Sequence, residues 1–94
     1  MSPILTSKRR EILELAKKHG AHDVRVFGSV ATGQEHEKSD VDFLVDLEPS
    51  RSVLDQIALQ QDLEELLGRR VDVVLIGGLS PYLEGRVLAE AVRL

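Results

Sequence analysis

Asp40 and Asp42 stand two residues apart at the head of an apolar run, Val41-Asp42-Phe43-Leu44-Val45-Asp46-Leu47, and a small-residue segment, Phe27-Gly28-Ser29-Val30-Ala31-Thr32-Gly33, precedes them. The β-branched and aromatic residues of the run make it strand-like. On a strand, positions 40 and 42 share a face about 6 to 7 Å apart. Two carboxylates so placed repel, and one is driven toward protonation unless a cation lies between them. A pair of divalent ions about 3.5 to 4 Å apart, the arrangement of in-line phosphoryl displacement, removes that repulsion. Hard oxygen donors favour magnesium or manganese over zinc. Taken singly the Asp-x-Asp pattern is weak, because Asp40 could cap the strand entrance while Asp42 faces solvent.

The glycine-serine pair adds a seat for an anion. Val24, Val26 and Phe27 read as a short strand ending at Gly28, where the missing Cβ lets backbone approach a ligand closely. Ser29 offers a hydroxyl, and the amides of the turn that follows can point at a phosphate. This is not a Walker A loop: Gln34 and Glu35 stand where that motif needs Lys and then Ser or Thr. A plain strand-to-turn connection also uses Gly-Ser, so the pair gains weight only from its order relative to the aspartates. A third carboxylate, Asp72, is the only charge in Val71-Asp72-Val73-Val74-Leu75-Ile76. Such a run reads as a buried strand, which rarely holds a lone carboxylate without a partner or a metal. The alternative is that Asp72 pairs with Arg69 or Arg70.

Strand, Gly28-Ser29, short turn, polar loop and Ser39-Asp40-x-Asp42 on a strand, in that order, resemble the DNA polymerase beta-like nucleotidyltransferase superfamily. More narrowly, the chain is similar to the minimal nucleotidyltransferases (MNT), the antitoxins of HEPN/MNT toxin–antitoxin systems. The resemblance covers essentially the whole chain. It implies a polymerase beta palm-like fold in which Gly28 and Ser29, with Thr32, Gly33 and Ser39 near them, bind a nucleoside triphosphate. It also implies that Asp40, Asp42 and Asp72 hold two Mg2+ ions and that Asp72 takes the proton of the attacking hydroxyl. The implied reaction moves AMP from ATP onto a tyrosine of a cognate HEPN-domain toxin. One position departs from the family, which often has Ala-Arg-Gly where this chain has Ala31-Thr32-Gly33. Threonine keeps a hydrogen bond and loses the charge. A second reading therefore stays open, a non-catalytic antitoxin that neutralises its partner by complex formation.

Composition narrows the setting. Ninety-four residues suit one domain, 1–94, and leave no room for a second lobe to hold the acceptor, which points to a partner protein. A net charge of −4 argues against nucleic acid as direct ligand, since a polyanion needs a concentrated basic face. Lys8, Arg9 and Arg10 read as a solvated helix face. Without cysteine there is no disulfide, thiolate zinc site or thiol nucleophile. His19, His22 and His36 share no zinc-ligand spacing. No apolar run reaches the roughly 18 residues of a membrane span, and the N-terminus lacks a signal-peptide core, so a cytoplasmic protein is expected.

The elements that must position these residues follow from caps and periodicity. A helix is expected from Ser7 to His19, with Thr6 or Ser7 as N-cap and Gly20 as stop. Strands follow near 23–27 and 41–47, separated by a helical turn at 29–33 and a charged loop, Gln34 to Lys38. Ser52 and Asp55 form a capping box opening a helix that Gly68 closes, with an apolar band broad enough to leave one flank for an interface. A strand at 71–76, a Gly77-Gly78 turn, and a helix opened by Ser80-Pro81 with Leu83, Val87 and Ala91 on one side complete the chain. The expected fold class is α/β, a small mixed β-sheet flanked by helices. The short loop between the first two strands suits antiparallel neighbours, and the helix between the second and third suits a parallel crossover.

Overall fold

The computed structural model describes residues 3–33 and 40–94, apart from the side chain of Thr32. The expected loop Gln34 to Lys38, His36 within it, and Ser39 lie outside the described residues. The elements are α1 (Pro3–Ser7), α2 (Arg9–Lys18), β1 (Ala21–Phe27), α3 (Ser29–Thr32), β2 (Val41–Leu47), α4 (Val53–Leu67), β3 (Val71–Leu75), a 3₁₀ turn (Ile76–Gly78), α5 (Pro81–Glu90) and β4 (Val92–Arg93). They form a four-stranded sheet in the order β3-β2-β1-β4. β1 runs antiparallel to β2, and β2 parallel to β3, as the connections require.

Alternation along the strands sorts the side chains into two faces. Val26 lies opposite Phe43, and Phe43 beside Val73. With Val41, Val45 and Val71 they join Leu5, Ile12, Ala16, Leu59, Leu63 and Leu67 in the main core. The other face carries Phe27, Asp42 and Asp72 at one level, and Arg25, Leu44 and Val74 at the next. Leu44 is fully buried yet stands outside the main cluster.

The first helix begins earlier than the capping signals imply. Neither Thr6 nor Ser7 is its N-cap: Ser7 Oγ donates to the Ile4 carbonyl at 3.2 Å, one turn back. The helical path runs from Pro3 and breaks at Lys8 (φ −104°, ψ 8°), while bonds from Lys8 N to Ile4 O and from Ile12 N to Lys8 O bridge the break. Packing explains the extra turn, because Leu5 is fully buried in the core.

The later helices match their signals. Ser52 Oγ accepts from Leu54 N at 3.2 Å, and Asp55 Oδ2 accepts from Ser52 N at 3.0 Å. Leu59, Leu63 and Leu67 bury one flank of α4, and Val53, Leu54 and Ile57 leave another exposed. Ser52→Ala is expected to lower stability by about 1 kcal/mol. In a thermal melt that reads as a midpoint roughly 4 to 8 °C lower. Ser80 caps α5 by accepting from Leu83 N, with Pro81 at the first helical position.

The short β4 was not foreshadowed by any run of strand-forming residues. It adds to the open edge of β1, with Arg25 opposite Arg93 and Val26 opposite Val92. Asp23 fixes it there, accepting from Arg93 at 2.9 and 2.6 Å and from Arg25 at 3.1 Å. These hydrogen bonds, Arg93 first and Arg25 second, hold the Asp23 carboxyl below its usual range. Asp23 has φ 51° at an irregularity in the β1–β2 register, a conformation that Asp tolerates better than most residues. Arg9 Nε closes the end by donating to Leu94 O at 2.8 Å.

Candidate active site

The sheet topology carries the three aspartates to one end of one face. β2 and β3 are parallel and both begin at this end, so Asp42 stands directly beside Asp72 in the register. Asp40 precedes β2 by one residue and, by alternation, turns to the same side as Asp42. Several contacts fix where β3 starts. Gly68 takes the left-handed conformation that closes α4, Glu64 Oε2 accepts from Val71 N at 3.1 Å, and Val41 N donates to Arg70 O at 2.9 Å.

β1 runs the opposite way and ends at this level, with Phe27 opposite Asp42. The chain then turns at Gly28 with φ 76° and ψ −154°, a region essentially restricted to glycine. A Cβ there would lie 2.5 Å from Asp42 Oδ2. The expected freedom of Gly28 thus serves a protein contact: the turn presses against the carboxylate of β2. Ser29 opens α3, and the fully buried Val30 pins that short turn to the core. Gly33 ends it in the left-handed conformation with nothing within 4 Å of a notional Cβ.

Electrostatics mark Asp42 as the centre. It is half-buried, whereas Asp40 and Asp72 are exposed. Burial pushes its carboxyl above the ordinary value, and the charges of Asp72 and then Asp40 push it the same way. Asp72 differs from expectation in its surroundings, for β3 is the edge strand and the side chain is exposed. The apolar run buries alternate residues, Val71 and Val73, and not both faces. Among the described residues Asp72 forms no ion pair with Arg70.

Among the described residues no three His, Cys, Asp or Glu side chains close into an ion-holding cluster. Magnesium does not require one, since it keeps several waters and binds through one or two carboxylates plus substrate phosphates. Asp42 beside Asp72, mutually repelling and uncompensated, fits that mode. Of the candidate nucleotide contacts, Gly28, Ser29 and Gly33 gather at the same end, and Thr32's side chain and Ser39 are outside what is described. Arg70, two residues before Asp72 and named above only as a possible partner for it, is a neighbour of the site.

Known proteins share this sequence and fold. A family model described as a nucleotidyltransferase domain matches residues 8–94. The protein adenylyltransferase MntA of Thermococcus cleftensis is 43% identical over 89 residues, covering 95% of this chain and 87% of its own. A candidate protein adenylyltransferase of Methanocaldococcus jannaschii is 40% identical over 84 residues, 89% of this chain and 90% of its own. The solved structure of a candidate minimal nucleotidyltransferase, 50% identical, superposes with a TM-score of 0.88 over 96% of this chain and 92% of that one. A chain of a toxin–antitoxin complex solved with AMP-PNP shares the fold at 24% identity, with a TM-score of 0.78 over 89% of this chain and 69% of that one. The agreement spans nearly the whole sequence, and the chain is an enzyme that belongs to the nucleotidyltransferase domain family and, within it, to the minimal nucleotidyltransferases.

Proposed function

We propose that this chain, acting as one domain over residues 1–94 in the cytoplasm, transfers AMP from ATP to a tyrosine hydroxyl of a HEPN-type toxin and thereby silences it. The observation that carries the reading is the placing of Asp42 beside Asp72 with Gly28 packed against Asp42. That juxtaposition supports reading the two carboxylates as the metal ligands and the turn as the phosphate seat. The adenylyltransferase activity of the MntA relative supports the same chemistry.

In this reading Gly28 and Ser29, with Thr32, Gly33 and Ser39, seat the β- and γ-phosphates. Asp40, Asp42 and Asp72 would hold Mg2+, which would supply charge neutralisation for the triphosphate and the departing pyrophosphate. Asp72 takes the proton of the acceptor hydroxyl. The acceptor oxygen bonds to the α-phosphorus, the α–β bridging bond breaks, and pyrophosphate leaves. Holding the groups in line and balancing charge do most of the work.

Thr32, where relatives often carry arginine, favours a second reading in which the protein masks its toxin without modifying it. Incubation with α-labelled ATP, magnesium and a HEPN-type partner separates the two. Label on the partner, abolished by EDTA, is the expected result. A stable complex that never acquires label would replace transfer by masking.

A further inference from the structure

Strand order gives the two substrates different sides of the site. The phosphate turn leaves β1, the central carboxylate lies on β2, and the carboxylate assigned to the acceptor lies on β3, whose outer edge no strand of the described residues covers. An acceptor hydroxyl bound for Asp72 therefore arrives over β3. Resting on the reading above, we propose that Arg70 is an acceptor-side positioning residue that binds a carboxylate next to the acceptor hydroxyl, selecting an acidic peptide segment.

Register places it there. The bond from Val41 N to Arg70 O extends the β2–β3 ladder by one position and sets Arg70 beside Asp40. The alternation that sends Val71 inward turns Arg70 to the face of Asp72. Arg70 is exposed, and among the described residues its guanidinium is held by no carboxylate. The other arginines on this face of the strands, Arg25 and Arg93, are both tied to Asp23. The hydrogen-bond donors of Arg70 are thus uncommitted, at the rim of a site whose fixed charges are negative. An acidic acceptor would be repelled there without a cation, and a bidentate arginine–carboxylate pair both offsets the repulsion and fixes orientation.

The test uses two tyrosine peptides, one with Asp on either side of the tyrosine and one with Asn. Adenylylation and, with a non-hydrolysable ATP analogue and magnesium, peptide affinity are both measured. The intact protein should prefer the Asp peptide by about ten-fold, as expected for one charge-assisted contact. Arg70→Ala should erase the preference by raising KM for that peptide while KM for ATP stays within about two-fold, and Arg70→Lys should restore part of it. Equal affinities for the two peptides, or a change in KM for ATP in place of the peptide, would overturn the proposal. Arg70-dependent binding without any transfer would uphold the acceptor contact and remove the catalytic reading instead.

Discussion

Asp42→Asn is expected to lower adenylyl transfer by about 10³-fold or more while raising the melting temperature of the metal-free protein at neutral pH. The two effects share a cause. Asp42 is half-buried between the charges of Asp72 and Asp40, and its folded carboxyl titrates above the ordinary 3.8. The folded state thus holds a proton that the unfolded chain releases earlier. The penalty of the charged form is absent below the unfolded value and fully developed above the raised folded one. Asparagine carries no charge at any pH, so its advantage grows from acid toward neutral. Melts with EDTA at pH 3.5 and pH 7 check the sign. Adding magnesium and a non-hydrolysable ATP analogue should stabilise the parent more than the variant, because only the parent offers the full carboxylate set. A variant less stable than the parent at both pH values would contradict this account.

Gly28→Ala is the second large effect, and it strikes both folding and chemistry. The backbone at φ 76°, ψ −154° suits only glycine, and an added methyl meets Asp42 Oδ2 at 2.5 Å. Strain and the clash together should cost about 2 to 3 kcal/mol, a midpoint lower by roughly 10 °C or more. Displacing the Asp42 carboxylate by part of an ångström should reduce the rate about 10²-fold. Gly68→Ala makes the control, since Gly68 also has positive φ but no atom within 4 Å of a Cβ. It should lose about 1 kcal/mol and keep its activity. Equal activity losses in the two variants would detach the Gly28 contact from the chemistry.

Much of this arrangement can be read from local residue order. Caps are short-range chemistry, so Ser52 with Asp55 and Ser80 with Pro81 announce α4 and α5 correctly. The spacing of Asp40 and Asp42 and the helix between β2 and β3 suffice to bring Asp72 alongside. What local order hides is set by distant partners. β4 is two residues long, too short for periodicity, and exists because Arg93 meets the Asp23 carboxylate across the fold. The helix begins at Pro3 because Leu5 finds the core. Asp72 looks buried in an apolar run, yet it is exposed because only the face carrying Val71 and Val73 meets the core, which depends on how the whole sheet packs. The pressure of Gly28 on Asp42 likewise needs two strands in register.

α5 is fastened at both ends, by the Ser80 cap and by β4, but buries no residue along its length. An element with so little interior surface has a small free-energy gap to a detached state. Its backbone amides should therefore exchange with deuterium well before those of α4, which is held by Leu59, Leu63 and Leu67. Detachment of α5 alone leaves the β1–β2–β3 hydrogen bonds in place, and with them the spacing of Asp42 and Asp72.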